Sequence, residues 1–416
     1  MTFADLGVPA TLTAALSAAG VAHPFAIQTA ALPDALAGHD ICGRAPTGSG
    51  KTLAFGVPIV AALARAERWS EPRRPRALVL VPTRELASQV EEALSPLARA
   101  VGARTASVFG GVSYVKQRAA LRQGVDILVA CPGRLEDLLS QGDLTLRDTD
   151  LVVVDEADRM ADMGFLPAVK RILDATATPR QTMLFSATLD GEVDVLVRRY
   201  QRSPRRHEVE PDATSTGEVH HVFWKAETPE RVALTAAVVA AHAPAMVFCR
   251  TRHGADRLTR RLGAAGIVAA PIHGSRSQPQ RERALAAFAA GSVQALVATD
   301  VAARGIHVDD VACVIHFDAP PDAKDYIHRS GRTGRAGRDG IVVTMVGGDQ
   351  AKAVRSMQRS LGVPQQVITP DPASLPASPA TPRPEPVRHP RAGSGDRSGG
   401  RRAGSARSPQ RVGTRR

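Results

Sequence analysis

Short aliphatic runs recur along the chain, at residues 77–81, 126–130, 151–154 and 183–185, and again at 245–249, 295–299, 311–317 and 341–346. Each is followed by a longer stretch in which Leu, Ala, Arg and Glu return at helical spacing. Runs this short and apolar suit strands buried on both faces, and their alternation with helical stretches predicts βαβ units around a parallel sheet. The series occurs twice, which predicts two doubly wound α/β domains. Between the two series, residues 203–217 are rich in Pro, Ser, Thr and charge, with one brief strand-like HEVE, and read as a linker. From about residue 367 the chain turns to Pro-Ala-Ser and then Arg-Gly-Ser, with too little apolar material to form a core. The expected organisation is a first domain over 1–205, a linker over 206–217, a second domain over 218–365 and a disordered basic tail over 366–416.

Charge sharpens that division. The net charge is +12 over 416 residues, and residues 371–416 alone carry +7, from ten Arg against three acids. The rest is nearly balanced, so the high isoelectric point describes a tail more than a uniformly basic protein. No aromatic follows Tyr326, so the tail can neither nucleate a core nor stack on bases. The four cysteines are scattered without a CxxC pair, which argues against a disulfide framework and for a reducing, cytoplasmic compartment. Cys249 with His253 and Cys313 with His316 are each half of a metal site, but both thiols lie in strand-like apolar runs and read better as buried core. No stretch has the 18 or so apolar residues of a membrane span, and the first ten residues lack the basic-then-apolar pattern of a leader.

Residues 45–52 read APTGSGKT, between the short apolar Ile41-Cys42 and a helical-looking stretch. A Gly-rich turn between strand and helix points backbone N–H groups inward at a helix N-terminus, which suits phosphate oxygens. Lys51 would reach the terminal phosphates and the Thr52 hydroxyl would hold Mg²⁺. A bare GxGK[ST] also occurs in ordinary Gly-rich turns. Asp155-Glu156-Ala157-Asp158 shifts the balance, because it follows a buried run and would project from the carboxyl end of a parallel strand. Asp155 can hold Mg²⁺ and Glu156 can position or deprotonate a water. The rival reading is an acidic helix start that complements the dipole.

The ordered set of motifs resembles the DEAD-box ATP-dependent RNA helicases of superfamily 2. It comprises Phe3, GVAHPFAIQ at 20–28, APTGSGKT, PTRELA at 82–87, Gly110-Gly111, CPGR at 131–134, DEAD at 155–158 and Ser186-Ala187-Thr188. It continues with VFCRT at 247–251, QPQR at 278–281, ATDVAARG at 298–305 and HRSGRTGR at 328–335. The resemblance covers residues 3–350 and implies two RecA-like parallel-sheet domains joined by a flexible linker. It implies ATP and Mg²⁺ as cofactors, with Phe3, Gln28, Thr47, Gly48, Ser49, Gly50, Lys51 and Thr52 at the nucleotide, and Thr52 and Asp155 at the metal. Lys51, Asp155, Glu156, Arg332 and Arg335 are its catalytic set, the two arginines as fingers on the γ-phosphate. Asp158, Ser186, Thr188 and His328 would couple hydrolysis to closure, the two hydroxyls bonding Asp158. RNA backbone contacts would come from Pro82, Thr83, Arg84, Gly111, Gly133, Arg134, Arg250, Thr251, Gly274, Arg281 and Thr299.

Four positions depart from the family pattern. Val21 replaces an aromatic that stacks on the base, which implies looser nucleotide selectivity, and Phe25 replaces a Thr. Cys131 replaces a Thr that bonds an RNA phosphate, and His307 an acid associated with the ribose. The short basic tail resembles those of bacterial RhlE-type members and reads either as an electrostatic tether for RNA or as a solvating segment. The expected activity is RNA-dependent ATP hydrolysis with local unwinding of short duplexes by a monomer, with ribosomal or RNA-decay proteins as candidate partners. The alternatives are a nucleotide-dependent RNA clamp and, more weakly, a DNA helicase.

Overall fold

The computed structural model describes residues 1–46, 48–66, 70–189, 191–209, 217–303, 308, 311–334 and 337–377. Thr47, His307, Arg335, most of the expected linker and the chain beyond 377 lie outside the described residues.

The first series of runs forms one all-parallel sheet of β1 (Ile41–Arg44), β2 (Ala77–Leu80), β3 (Thr105–Val108), β4 (Ile127–Ala130), β5 (Leu151–Asp155), β6 (Gln181–Ser186) and β7 (Arg205–Glu208). Its order is β3-β4-β2-β5-β6-β1-β7. The second series forms β8 (Val219–Lys225), β9 (Ala245–Phe248), β10 (Ala269–Ile272), β11 (Ala295–Ala298), β12 (Cys313–His316) and β13 (Gly340–Val346), again all parallel. Their order is β10-β11-β9-β12-β13-β8. Numbered within its own domain, each sheet runs third, fourth, second, fifth, sixth, first, so the two halves share one topology and β7 is an addition to the first.

Each sheet is buried on both faces, which is why its central strands read as unbroken aliphatic runs. In the first sheet Val153 and Phe185 join a cluster with Ile27 and Phe55, while Val152 and Leu184 face Leu135, Met160 and Val197. In the second, Val247 and Ile315 pack with Trp224 and Leu258, and Met246 and Val314 with Phe288 and Tyr326. Burial of this kind contributes about 25 cal/mol per Å² of apolar surface removed from water. No helix among the described residues is long and apolar enough to cross a membrane.

Two boundaries differ from the sequence reading. Residues 206–208, expected in the linker, belong to β7, where Arg206 and His207 are in register with Cys42 and Gly43 of β1. As an edge strand with mostly exposed side chains it pairs through its backbone, which composition does not reveal. The tail also begins later than 366. The N–H of Ile368 donates to the Phe223 carbonyl at 2.9 Å, its own carbonyl accepts from Lys225 at 2.8 Å, and Leu375 is buried in the core cluster of Trp224. One edge backbone group and one apolar anchor suffice to hold a Pro-rich segment against the sheet.

Candidate functional site

In parallel sheets the loops after the carboxyl ends of the strands form the binding crevice, and strand order decides which loops meet. In the first sheet β1, β6 and β5 are adjacent, so the glycine loop, Ser186-Ala187-Thr188 and Asp155-Glu156 emerge side by side. On the other side, β2, β4 and β3 bring together Pro82-Thr83-Arg84, Cys131 to Arg134 and Gly110-Gly111.

The glycine loop reaches the helix Lys51–Arg65 through Gly48 and Gly50, whose φ values of +85° and +86° are left-handed. The Ala45 N–H donates to the Ser186 carbonyl at 3.1 Å, tying the loop to β6, and the Ser49 hydroxyl donates to the Pro46 carbonyl at 2.8 Å. Lys51 is buried and its Nζ donates to the Ala45 carbonyl at 3.1 Å, so its ammonium is held inside the loop. Thr52 is half-buried one residue further along the same helix.

Asp155 ends β5, fully enclosed. Burial pushes its carboxyl up to about 7, against the lowering effect of Lys51 and with a further rise from Glu156. A buried carboxylate short of compensating charge is a good ligand for a hard divalent cation, and with the Thr52 hydroxyl it offers the one or two oxygen donors that Mg²⁺ takes from a protein when phosphates supply the rest. Glu156 has φ +54°, uncommon for a residue other than glycine, and its Oε2 accepts from Arg159 Nη1 at 2.7 Å. Asp158 is bonded as expected by Ser186, whose Oγ accepts from the Asp158 N–H at 3.1 Å. Thr188 reaches it differently, its backbone N–H rather than its hydroxyl donating to Asp158 Oδ2 at 3.2 Å.

At the base side two expected roles change. Phe3 is 2% exposed and belongs to the apolar core with Leu6 and Leu12, because an unsubstituted ring gains more from that core than from a wet cleft. It supports the site and does not touch its surface. Gln28 is fully buried, its Nε2 donating to the Gly50 carbonyl at 2.8 Å and its Oε1 accepting from the Phe25 N–H at 2.9 Å.

On the other half of the sheet, Thr83 caps the helix Arg84–Ala100, its hydroxyl accepting from Leu86 N–H at 3.4 Å. Arg84 lies directly over Gly111, where a Cβ would sit 2.0 Å from Nη1, so glycine is required there for the two motifs to meet. Gly133 is open on the first turn of the helix Pro132–Ser140. Arg134, expected at RNA, points inward: it is buried, donates from Nη1 and Nη2 to the Val112 carbonyl at 3.2 and 3.3 Å, and covers the Tyr114 ring at 3.8 Å. It braces the loop after β3, because nearby carbonyl and π acceptors satisfy a guanidinium without solvent.

The second sheet repeats the division. Loops after β9, β11 and β10 hold Arg250 and Thr251, Thr299, and Gly274. Thr251 caps the helix Arg252–Ala264 through Gly254 N–H at 3.0 Å, as Thr83 does in the first domain. The Arg250 N–H donates to Asp318 Oδ2 at 2.8 Å, leaving its exposed side chain free to extend outward. Gly274 lies beside Arg252, whose Nη1 donates to the Ser275 hydroxyl at 3.4 Å. Arg281 is the third correction. It is buried and pairs with Glu85 of the first domain at 3.0 Å, so it joins the domains. A second link pairs Lys324 with Asp162.

After β12, the helix Ala323–Ser330 and the turn behind it carry His328 and Arg332, which line a small cleft with Phe248, Asp300, Asp325 and Arg329. Arg329 holds Asp300 with two bonds at 2.6 and 2.8 Å and donates to the Asp318 carbonyl at 2.8 Å. Glu85, Arg159, Arg329, Asp300, Asp162 and Lys324 were not singled out from sequence. Glu85, Arg329 and Asp300 stand inside quoted motifs, and Lys324 is one of only six lysines, the one signal that marked it. Cys249 and Cys313 are buried, and no group of three or more His, Cys, Asp or Glu among the described residues could hold a metal.

The first domain matches the family model of DEAD/DEAH box helicases over residues 25–196, and the second that of the helicase conserved C-terminal domain over 231–337. The chain is 38% identical over 377 residues to DEAD-box ATP-dependent RNA helicase 30 of Arabidopsis thaliana, covering 90% of this chain and 64% of that protein. It is 41% identical to the chloroplastic DEAD-box ATP-dependent RNA helicase 3A of Zea mays, covering 89% and 50%. ATP-dependent RNA helicase DbpA of Bacillus subtilis is 36% identical over 356 residues, covering 85% of this chain and 73% of its own. The chain thus spans half to about two thirds of the two plant relatives. Among solved structures, S. cerevisiae Dbp5 bound to RNA and ADP BeF3 superposes with a TM-score of 0.73 at 25% identity, covering 88% of this chain and 95% of that one.

Proposed function

The chain belongs to the DEAD-box family of ATP-dependent RNA helicases, and from that membership we propose that it is an RNA-dependent ATPase that locally unwinds short RNA duplexes. The observation that carries the reading is the strand order, which in both domains separates loops suited to phosphate and hydrolysis from loops suited to an RNA backbone. ATP binds with its phosphates over Gly48, Gly50 and Lys51. Mg²⁺ is held by Thr52 and Asp155 and supplies charge neutralisation at the phosphates. Glu156, kept in place by Arg159, orients the attacking water and takes its proton. Arg332, with Arg335 beyond the described residues, comes from the second domain to stabilise charge developing in the transition state.

RNA lies along Pro82, Thr83, Arg84, Gly111 and Gly133 of the first domain and Arg250, Thr251, Gly274 and Thr299 of the second. Contacts of these kinds, to phosphate and sugar, carry little sequence preference. The Glu85–Arg281 and Lys324–Asp162 pairs favour the closed arrangement in which both sets of loops act together. Hydrolysis removes the nucleotide bridge and releases RNA. The charge of the tail supports a tether for RNA and a grouping with the short-tailed bacterial RhlE-type members. Four free, buried cysteines support a reducing compartment, the cytoplasm. We take the protein to act as a monomer, with ribosomal or RNA-decay proteins as partners. RNA-stimulated ATP hydrolysis and multiple-turnover unwinding by the full chain test the reading. Lys51→Ala and Glu156→Gln are expected to lower stimulated hydrolysis by roughly 10²–10⁴-fold, and a variant retaining full turnover overturns it.

A further inference from the structure

The base side of the nucleotide site departs from amide recognition of adenine. Gln28 has no exposed surface, and both ends of its amide are engaged by the protein's own backbone, the Gly50 carbonyl and the Phe25 N–H. Val21 is half-buried against the core of the first domain. The group that does face outward beside the loop is the Phe25 ring, 58% exposed. It lies against Gly50, where a Cβ would come 2.8 Å from its Cδ2, and Gly50 directly precedes Lys51. One side of the ring is therefore supported by the loop that holds the phosphates and the rest is open.

A packing or capping role accounts poorly for this residue. Phe25 is the N-cap of the helix Ala26–Leu36, a position where a Ser, Thr, Asp or Asn side chain would accept a backbone bond and stabilise the helix by about 1 kcal/mol. The ring forgoes that bond and leaves more than half its surface in water. An aromatic placed so, next to a phosphate loop, offers a π-face to the base of a bound nucleotide. Stacking is tolerant of base identity, because every base has such a face, whereas an exposed amide would discriminate by donor and acceptor pattern.

We infer that the nucleotide base is held by stacking on Phe25 and not read by Gln28, so that the site hydrolyses GTP, CTP and UTP as well as ATP. The reaction is the same for each. Water oxygen bonds to the γ-phosphorus, the bond to the β–γ bridging oxygen breaks, the nucleoside diphosphate leaves with that electron pair, and the water proton passes through Glu156 to solvent. The inference rests on the phosphate loop being the nucleotide site, and Lys51→Ala separates the two: loss of all four hydrolyses upholds the site, and retention overturns the site reading itself.

The test is RNA-stimulated hydrolysis of each triphosphate by the full chain, with kcat and KM determined separately. The four kcat/KM values are expected within about tenfold of one another, because apolar and stacking contacts discriminate weakly. A preference for ATP above roughly 10³-fold, the range reached when a site hydrogen-bonds its substrate, overturns the inference. Phe25→Thr is expected to raise KM about tenfold for all four nucleotides alike, and Phe25→Tyr to restore it. An unchanged KM in Phe25→Thr, or a rise confined to ATP, also overturns it. Circular dichroism of Phe25→Thr, expected to match the parent because the ring is exposed, separates a binding loss from a folding one.

Discussion

The two sheets share one strand order yet carry opposite chemistry. In the first, the strand that begins the order, β1, runs into Gly48, Gly50 and Lys51. In the second, the matching strand, β8, runs into Ala226-Glu227-Thr228-Pro229, with no glycine to open a phosphate cradle. In the first, the fifth strand ends in Asp155 and Glu156. In the second, the helix after the fifth strand supplies His328 and Arg332. One domain thus carries the phosphate loop and the acids for metal and water, and the other the cations for the transition state. Neither is a complete catalyst, and the complementarity makes hydrolysis depend on their contact. On the RNA side the halves stay alike: Thr83 and Thr251 each cap a helix behind the second strand, with Arg84 and Arg252 as the next residue.

The sharpest break of this division is Arg332→Ala, which removes a second-domain cation and leaves the first domain whole. A finger arginine is worth roughly 10³–10⁵-fold in turnover, so stimulated ATPase should fall by at least about 10³ while nucleotide binding persists. A loss below tenfold in single-turnover assays would show that the first domain catalyses alone.

Next in size is the joint between the halves. Glu85→Ala strands a buried Arg281 guanidinium, at a cost of about 3–5 kcal/mol for breaking such a pair. RNA-stimulated turnover should drop about a hundredfold, and Glu85→Arg with Arg281→Glu should recover part of it. Failure of the exchange, with both single variants folded and impaired, would assign these residues to the domains separately.

A smaller effect concerns pH in the first domain alone. The Asp155 carboxyl, pushed up from 3.8 to about 7 by burial, favours its protonated form in the metal-free protein. Its contribution to metal-free stability is therefore largest at acid pH and declines as pH rises toward 7. Divalent-dependent nucleotide affinity runs the other way, strengthening between pH 6 and 8 as the cation no longer displaces a proton. Titration calorimetry at both values checks the sign, and Asp155→Asn should flatten the profile.

The smallest effect on saturated turnover is expected from the tail. Because Leu375 is buried, the informative truncation follows residue 377 and leaves the second core intact. Removing the ten distal arginines should flatten the salt dependence of RNA binding, by about 0.7 in log–log slope for each single-strand phosphate that the tail had neutralised. An unchanged slope would mark the segment as solvating only.

Sequence reading located the site loops because glycine loops, paired acids and capping threonines have local signatures. It also found the central strands, whose burial on both faces leaves continuous aliphatic runs such as 151–154. It passed over the edge strands β3, β7, β8 and β10, since half-exposed strands carry a broken apolar pattern and pair by backbone groups common to all residues. It named Arg134 and Arg281 and placed both on RNA. Nothing local in CPGR or QPQR distinguishes an arginine facing solvent from one turned toward a carbonyl or a carboxylate of another segment. The same applies to Gln28 and Phe25, since which of two neighbours is buried depends on where Gly50 lies.

The sequence by itself determined that there are two parallel-sheet domains, a phosphate loop at 45–52, two acids at 155–156 and a separate basic tail, because each is written in contiguous residues. Tertiary structure decided which loops share a face, that Glu85 meets Arg281, that Phe3 is core, and that Phe25 is the ring exposed beside the nucleotide loop. Those outcomes depend on strand order and on competition for burial between residues 20 to 200 positions apart, where the free energy of one side chain depends on which distant partner has already excluded water from it.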